Sequence, residues 1–189
     1  MLIDDADSVL IVVDAQPGFL GKLDASLAAE IVDRIRWLVT LATHLDVPMV
    51  VTEEEPDRNG DTADPIVDAL PAGVSRHLKE VFGLAACLPI LADVERHGRS
   101  TAVLCGLETD VCVAQSAIGL HDRGWRVAVV SDAVGAPGSA QEQGLSRMRD
   151  RGVEVVGTKG LAYEWIRTVV RADDLDRDVF AHPPAGITL

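Results

Sequence analysis

The chain has 189 residues, of which 48% are apolar and 25% are charged. This composition is sufficient for the core of one ordinary domain and is not typical of disorder, so we expect residues 1–189 to form a single domain. The 30 acidic residues outnumber the 17 basic ones, and the formal net charge is −13. Such a surface repels phosphate backbones and anionic lipid headgroups, so we expect neither nucleic-acid nor membrane partners.

The N-terminus and the cysteines favour a cytoplasmic location. The first residues contain no basic region and no long apolar stretch of the kind that a signal peptide has. The apolar runs are too short and too interrupted by charge to span a bilayer. The three cysteines are widely spaced, odd in number and free of any CxxC pair. This pattern predicts reduced thiols rather than a disulfide framework.

Short β-branched runs alternate with longer segments of helical periodicity along the chain. In chain order these predict a strand at 8–14, a helix at 24–45, a strand at 47–52, a mostly polar loop at 53–73, a helix from Pro89 to His97, a strand at 101–106, a helix ending before Gly124, a strand at 125–132, a helix at 140–151, a strand at 153–157 and a helix at 160–170. Residues 76–82 are too few to assign.

This alternation predicts parallel strands with helices on both faces of the sheet. In sheets of this kind the ligand lies beyond the carboxyl ends of the strands. Asp14 ends the first predicted strand, the turn at 106–112 follows the central strand, and Asp132 ends the next one. Candidate functional residues are therefore expected at these three places.

Cys112 is the strongest candidate nucleophile, because it begins a predicted helix directly after a strand and a turn. A helix N-terminus would lower the pKa of its thiol and could hold an oxyanion. Considered alone, Cys112 could equally well be a small buried side chain that packs and takes no part in chemistry. Packing is the better interpretation of Cys87 and Cys105. Asp14 is either a general base or a brace at a strand end, and Lys79 alone is most simply a solvated lysine.

Taken together, four segments resemble a known family. Residues 14–19 match D-x-Q-x-x-F, Lys79 is followed by Phe82, residues 106–113 match G-x-x-T-x-x-C-V, and a strand ending in Asp-Ala occupies 129–133. In order and spacing the chain resembles the isochorismatase-like cysteine hydrolase superfamily, from about residue 8 to about residue 170. The resemblance implies a three-layer, doubly wound α/β sandwich, Rossmann-like, with a six-stranded, mostly parallel sheet.

The resemblance also implies a catalytic triad of Asp14, Lys79 and Cys112. Asp14 would accept the thiol proton, Lys79 would stabilise the charges, and Cys112 would attack an acyl carbon to form a thioester. A cis peptide bond between Leu107 and Glu108 would aim the Glu108 N–H at the same point as the Cys112 N–H, which makes these two groups the expected oxyanion hole. The hydroxyl of the following threonine is a candidate brace for this turn.

The expected substrate is a small molecule, commonly an amide in this superfamily. Gln16, Phe19 and Phe82 are the predicted substrate-binding residues. No cofactor is expected, and the resemblance implies a homo-oligomer, either a dimer or a tetramer.

Departures from the family narrow these expectations. Nicotinamidases of the superfamily bind a metal through histidines just after the second strand, but residues 52–60 contain none. The acids at 53–57 could bind a hard cation, although a solvated loop fits them better. We therefore predict that the site has no catalytic metal, and we place nicotinamidase low among the candidate activities. Cys112 itself counts against isochorismate hydrolysis, because true isochorismatases lack that cysteine.

Two other functional classes remain open. The chain could be a non-catalytic binding or assembly module, but such a module has no need of Asp14, Lys79 and Cys112 together. A thiol-redox protein is the least favoured, because no resolving cysteine is near Cys112 in the sequence. The metal-free branch of hydrolases with unassigned substrates fits best.

Overall fold

A computed structural model describes residues 1–175 and 179–188 of the chain. Its strands pair in parallel throughout, in the order β3-β2-β1-β4-β5-β6. They are β1 (Ser8–Val13), β2 (Met49–Glu54), β3 (Arg76–Lys79), β4 (Thr101–Leu107), β5 (Arg126–Gly135) and β6 (Glu154–Val156). The predicted doubly wound α/β class with a six-stranded sheet is confirmed.

Helices connect successive strands or flank them. The α-helices are α1 (Pro17–Leu20), α2 (Ala25–His44), α3 (Pro56–Asn59), α4 (Asp64–Val67), α5 (Leu88–Arg96), α6 (Ala114–His121), α7 (Ala140–Asp150), α8 (Thr158–Ile166) and α9 (Val169–Leu175). Short 3₁₀ turns occupy Asp5–Asp7 and Leu84–Ala86, and a π-helical turn occupies Thr109–Val113. In the described ranges, no helix is both long enough and apolar enough to cross a membrane.

The local predictions agree with the structure only in part. The segment at 53–73 is mostly loop, as predicted, although it also contains the end of β2 and the two short helices α3 and α4. The stretch before Phe82, which the sequence left unassigned, contains an edge strand, β3. The helix predicted at 160–170 is two helices, which are separated at Arg167, where φ is +69°. A residue with positive φ cannot continue a right-handed helix.

The core has two halves, one on each face of the sheet, because the side chains of a strand alternate between its faces. Leu10 and Val12 of β1 pack in the half that includes Ile35 of α2 and Trp165 of α8. The intervening side chains of β1 pack with α5, α6 and α7 on the opposite face. All six residues of β1 are buried, which explains its continuous apolar run.

The chain order of the strands reverses between β1 and β4, which are neighbours in the sheet. In an open α/β sheet this reversal leaves a crevice at the carboxyl ends of the two strands. Gly106 lets β4 approach β1 there: its φ is +119°, and a Cβ at this position would lie 1.9 Å from the carbonyl oxygen of Val13. No other residue fits this position without moving a strand.

Candidate active site

Four adjacent strands each direct one chemically active side chain to this edge of the sheet. Lys79 is the last residue of β3, Glu54 is the last residue of β2, and Asp14 directly follows β1. Cys112 lies in the π-helical turn after β4. The structure therefore brings together the three residues of the predicted triad and adds a fourth, Glu54.

Asp14 and Lys79 form a buried ion pair. Lys79 Nζ lies 2.6 Å from Asp14 Oδ2, and neither side chain is exposed to solvent. The same ammonium donates to Glu54 Oε2 at 3.1 Å and to the carbonyl oxygen of Val81 at 3.1 Å. The Thr52 hydroxyl donates to Asp14 Oδ1 at 2.8 Å. Asp14 therefore has a counter-charge and one hydrogen-bond donor, as a buried charge requires, although its Oδ2 accepts no hydrogen bond from the described residues.

Strand register places Glu54 beside Lys79. The two residues are Cα partners in the parallel pairing of β2 with β3. Paired residues in a sheet project their side chains from the same face, so the carboxylate and the ammonium meet above the ends of the strands. Asp14 joins them from the neighbouring strand, where its N–H donates to the carbonyl oxygen of Thr52 at 3.0 Å.

Cys112 completes the cluster. Its thiol donates to Glu54 Oε2 at 3.1 Å, and its Sγ lies 3.6 Å from Lys79 Nζ. Cys112 is buried, with 1% of its surface exposed. A nucleophile needs an adjacent proton acceptor and a group that stabilises its anion, and both are in contact with this sulfur.

The surroundings of the cluster raise the pKa of the Asp14 carboxyl and of the Cys112 thiol. Burial raises the pKa of Asp14 above its usual value, although Lys79 acts in the opposite direction. Burial, reinforced by the carboxylates of Asp14 and Glu54, also raises the pKa of Cys112. The pKa of this thiol is therefore raised overall, whereas its place at the start of a helix had predicted that the pKa would be lowered. Burial alone would lower the pKa of Lys79, but its acidic neighbours raise it.

The turn that carries Cys112 is wider than an α-helical turn. The Val113 N–H donates to the carbonyl oxygen of Glu108, five residues earlier, at 3.1 Å. Helix α7 packs closely against this turn at Gly144, where a Cβ would lie 2.8 Å from Asp110 Cα. This close packing against α7 fixes the position of the turn, and therefore of Cys112, above the sheet.

The peptide bond between Leu107 and Glu108 is cis, as the resemblance implied. The oxyanion hole formed by the N–H groups of Glu108 and Cys112 stays a prediction. The hydroxyl of Thr109 was expected to bond nearby backbone and so to stabilise this turn. It donates instead to Oε1 of Gln141 in α7, at 2.6 Å.

A cavity of about 340 Å³ opens directly onto Cys112. Phe19 and Phe82, two of the predicted substrate-binding residues, line this cavity, and so does Glu54. Gln16 does not contact this space. Its buried side chain bonds the backbone N–H and carbonyl groups of Glu54 and the carbonyl oxygen of Gly60, so it positions the chain after β2.

The rim of the cavity is charged. Lys22 Nζ lies 2.9 Å from Glu108 Oε2 and 4.7 Å from the centre of the Phe19 ring. Arg58 and Asn59 of the short helix α3 also line the cavity. The cavity therefore combines two aromatic walls with a polar opening, which suits a small polar molecule.

The cluster also contains three groups that are chemically able to ligate a metal. The ligand atoms of Asp14, Glu54 and Cys112 lie within 4.8 Å of one another. The ammonium of Lys79, however, lies 2.6 Å from one of these carboxylates and 3.1 Å from the other. A cation bound there would face this buried positive charge, so the donor set does not suit a metal ion while Lys79 is in place.

Glu54 is not among the residues that the sequence predicted for the site. The second strand was expected to end at Thr52 and the following acids to form a solvated loop, whereas β2 continues to Glu54 and Glu53 is buried. Glu53 Oε1 accepts bonds from Thr62 and Arg76. The sequence did contain a signal for Glu54. Like Asp14, it lies just after an apolar strand and therefore at the carboxyl edge of the sheet, where the ligand is expected.

The fold and the site define a doubly wound α/β protein with a thiol, an ammonium group and two carboxylates at the switch point of its sheet. The family model described as the isochorismatase domain matches residues 8–160, and the chain belongs to the isochorismatase-like hydrolase family. The secreted isochorismatase effector Isc1 of Phytophthora sojae is 32% identical over 169 residues, which cover 83% of this chain and 76% of that protein.

Solved structures confirm the fold. A MAR1 ribonuclease from Caenorhabditis elegans matches with a TM-score of 0.86 at 24% identity, covering 100% of this chain and 98% of that one. The YcaC product of Escherichia coli, described as an octameric hydrolase of unknown specificity, has a TM-score of 0.85 at 20% identity and coverages of 96% and 92%. The N-carbamoylsarcosine amidase of Thermoplasma acidophilum has a TM-score of 0.67 at 23% identity and coverages of 80% and 96%.

Proposed function

We propose that this protein is a cysteine-dependent hydrolase that cleaves a small amide or a related acyl compound through a thioester. The observation that carries the proposal is the position of the Cys112 thiol, which contacts both Lys79 and a carboxylate at the floor of a small cavity. The cavity volume of about 340 Å³ is near the lower end of the range for small-molecule sites.

The proposed reaction begins when the thiol of Cys112 loses its proton to a carboxylate of the cluster, which the resemblance assigns to Asp14. The surroundings raise the pKa of the thiol, so this nucleophile needs an adjacent base to remove its proton. Lys79 stabilises the developing negative charge. The N–H groups of Glu108 and Cys112 hold the oxyanion, and Asp14 returns the proton to the nitrogen as the C–N bond breaks and the amine departs. Asp14 then takes a proton from the water that attacks the thioester, and returns it to the sulfur as the C–S bond breaks and the carboxylic acid is released.

Two of the similar structures support parts of this proposal. The amidase from Thermoplasma acidophilum cleaves the class of bond that we propose, and the octameric hydrolase supports the proposal that this chain also forms a homo-oligomer. The ribonuclease similarity does not extend to function here, because a net charge of −13 disfavours binding to a polyanion.

The test is a screen of purified protein against a panel of small amides, with ammonia release as the measurement and Cys112→Ala as the blank. Cys105→Ala is the matched control, because Cys105 is a fully buried cysteine on the other face of the sheet. We expect release by the wild type and by the Cys105 variant, together with an acyl adduct on Cys112 by intact mass. Equal release by Cys112→Ala would refute the proposed nucleophile.

A further inference from the structure

The charged side chains that line the cavity are paired at short distances, with one exception. Lys22 and Glu108 lie 2.9 Å apart, and Glu54 lies 3.1 Å from an ammonium group. Arg58 also lines the cavity, but its guanidinium makes no hydrogen bond to the described residues, and its ion pair with Glu55 is long, at 3.6 Å. The charge that lacks a close partner at this cavity is therefore a positive one.

The short helix that carries Arg58 is held in place above the cavity. The side chain of Gln16 binds backbone groups just before and just after α3. Asn59 Nδ2 donates to the carbonyl oxygen of Glu54 at 2.8 Å, and a Cβ on Gly18 would lie 2.8 Å from Asn59 Cα. These contacts fix the backbone of α3, while the side chain of Arg58, which is 81% exposed, can still orient toward a bound molecule.

A guanidinium group at this place suits a carboxylate. Its N–H groups form a planar fork that matches the two oxygens of a carboxylate, and the resulting hydrogen bonds are charge-assisted. Phe19 and Phe82 line the same cavity and can contact a short apolar chain. The cavity therefore offers one small molecule three contacts: Cys112 for an amide carbon, two aromatic rings for the chain, and Arg58 for an anionic end.

The overall charge of the protein does not oppose a small anion in this cavity. A polyanion extends over a surface whose formal net charge is −13, and that surface repels it. A molecule with one negative charge inside the cavity is screened by salt from acids more than about 8 Å away. The two acids that line the cavity, Glu54 and Glu108, each have a cationic partner. Arg58 is then the group whose charge is left for the anion.

We propose that Arg58 is a specificity-determining residue that binds a carboxylate at the far end of the substrate, and that the substrate is the monoamide of a short dicarboxylic acid. This inference rests on the proposed function and deepens it. The leaving group of a primary amide is ammonia, so the carboxylate belongs to the acyl part, which stays on Cys112 as the thioester. For each monoamide cleaved, one water molecule is consumed, and ammonia and a dicarboxylic acid are released.

The experiment compares matched pairs of probes by the initial rate of ammonia release. The anionic members are malonamate, succinamate and glutaramate, and the neutral members are malonamide, succinamide and glutaramide. Within a pair, an uncharged amide replaces the carboxylate with little change in shape. We expect the wild type to have a kcat/KM at least about 10-fold higher for the monoamide than for the diamide in at least one pair.

Arg58→Gln removes the charge and keeps a polar side chain. It should lower kcat/KM for the preferred monoamide by about 10–100-fold, mainly through KM, because the distant carboxylate is bound equally before and during the reaction. The diamide should be affected less than about 2-fold. Arg58→Lys should restore only part of the loss, because an ammonium group lacks the fork.

Glu55→Gln should act in the opposite direction. It removes the carboxylate that competes for the guanidinium of Arg58, at 3.6 Å in the protein. Because an exposed ion pair of this kind is weak, the KM for the monoamide should fall by at most about 5-fold, with no change for the diamide. A merely structural role of α3 would alter both probes together.

Arg151→Gln is the matched control, because it changes the net charge by the same amount at an exposed arginine that pairs with Asp122 at 3.4 Å, outside this cavity. It should leave the kinetics of both probes unchanged. Titration calorimetry of Cys112→Ala with the monoamides gives a second measurement, which needs no turnover. We expect binding there, and we expect it to be lost when Arg58→Gln is added.

Three results would overturn this inference: equal kcat/KM for monoamides and diamides in the wild type, equal monoamide kinetics in Arg58→Gln and Arg151→Gln, or no binding of any monoamide to Cys112→Ala. Failure of the proposed function is distinguishable. It would be seen as monoamide binding that depends on Arg58 without ammonia release by the wild type, or as ammonia release that Cys112→Ala retains.

Discussion

Replacement of Lys79 with Met removes the only ammonium group in contact with the Asp14–Glu54–Cys112 cluster among the described residues, at a position where its side chain has no exposure. With an effective dielectric constant of about 20, each contact contributes an attraction of about 5–6 kcal/mol at the observed 2.6 and 3.1 Å. Desolvation of the charges offsets several kcal/mol per ion. The cost that remains is mainly that of leaving buried carboxylates without a counter-charge.

We therefore expect Lys79→Met to lower the free energy of unfolding by about 3–5 kcal/mol. For a chain of this size that loss corresponds to a fall in Tm of about 6–20 °C. Turnover should be lost as well, because Lys79 is the group that lowers the pKa of Cys112 against burial and two carboxylates. The assay is urea unfolding followed by tryptophan fluorescence, since Trp37 and Trp165 are buried in the core.

The double variant Asp14→Asn/Lys79→Met tests the electrostatic explanation. Because the amide that replaces the carboxylate is neutral and can still accept from Thr52, the Asp14→Asn change should restore about 0.5–3 kcal/mol of the stability lost in Lys79→Met. The reasoning is refuted if Lys79→Met costs less than about 1 kcal/mol, the range of an exposed ion pair. It is also refuted if Asp14→Asn destabilises the Lys79→Met protein as much as it destabilises the wild type.

Cys112→Ser should abolish turnover with little change in the urea midpoint, because a hydroxyl at this position is a far weaker nucleophile; activity comparable to the wild type would exclude Cys112 from the mechanism. Exhaustive dialysis against EDTA should leave turnover unchanged, since Lys79 occupies the space between the candidate ligands, whereas loss that Zn²⁺ reverses would contradict this. Because burial and its acidic neighbours raise the pKa of Cys112, its alkylation by iodoacetamide should be slow at neutral pH and still rise above about pH 8.5, the usual pKa of a thiol; a plateau at lower pH would show the opposite shift. Cys105, with its pKa raised to about 12 by burial, should remain unlabelled throughout. Thr109→Val should cost about 1–3 kcal/mol in urea unfolding, because it leaves Gln141 Oε1 without its donor, and an unchanged midpoint would mean that the bond adds nothing.

The helices and central strands could be predicted because their signals are local. The helix predicted at 24–45 is α2 at Ala25–His44, and the apolar run at 8–14 contains β1. Strand β3 escaped prediction because it is an edge strand in which only Lys79 is buried. Without an apolar run or a clear alternation, nothing in its own residues distinguishes it from a loop. Its identity depends on hydrogen bonds to β2, which is far away in the sequence.

The motifs of the sequence determined the family, the doubly wound class and the three residues proposed as the triad. Tertiary structure alone decided that Glu54 joins them, because the register of β2 with β3 sets its carboxylate beside Lys79 and Cys112. It also decided the direction of the thiol pKa. Helix position is visible in the sequence and favours a thiolate, but burial and two carboxylates from other strands oppose it more strongly. Such charges act through space over a few ångströms, so residues 14, 54, 79 and 112 influence one another only once the sheet has formed.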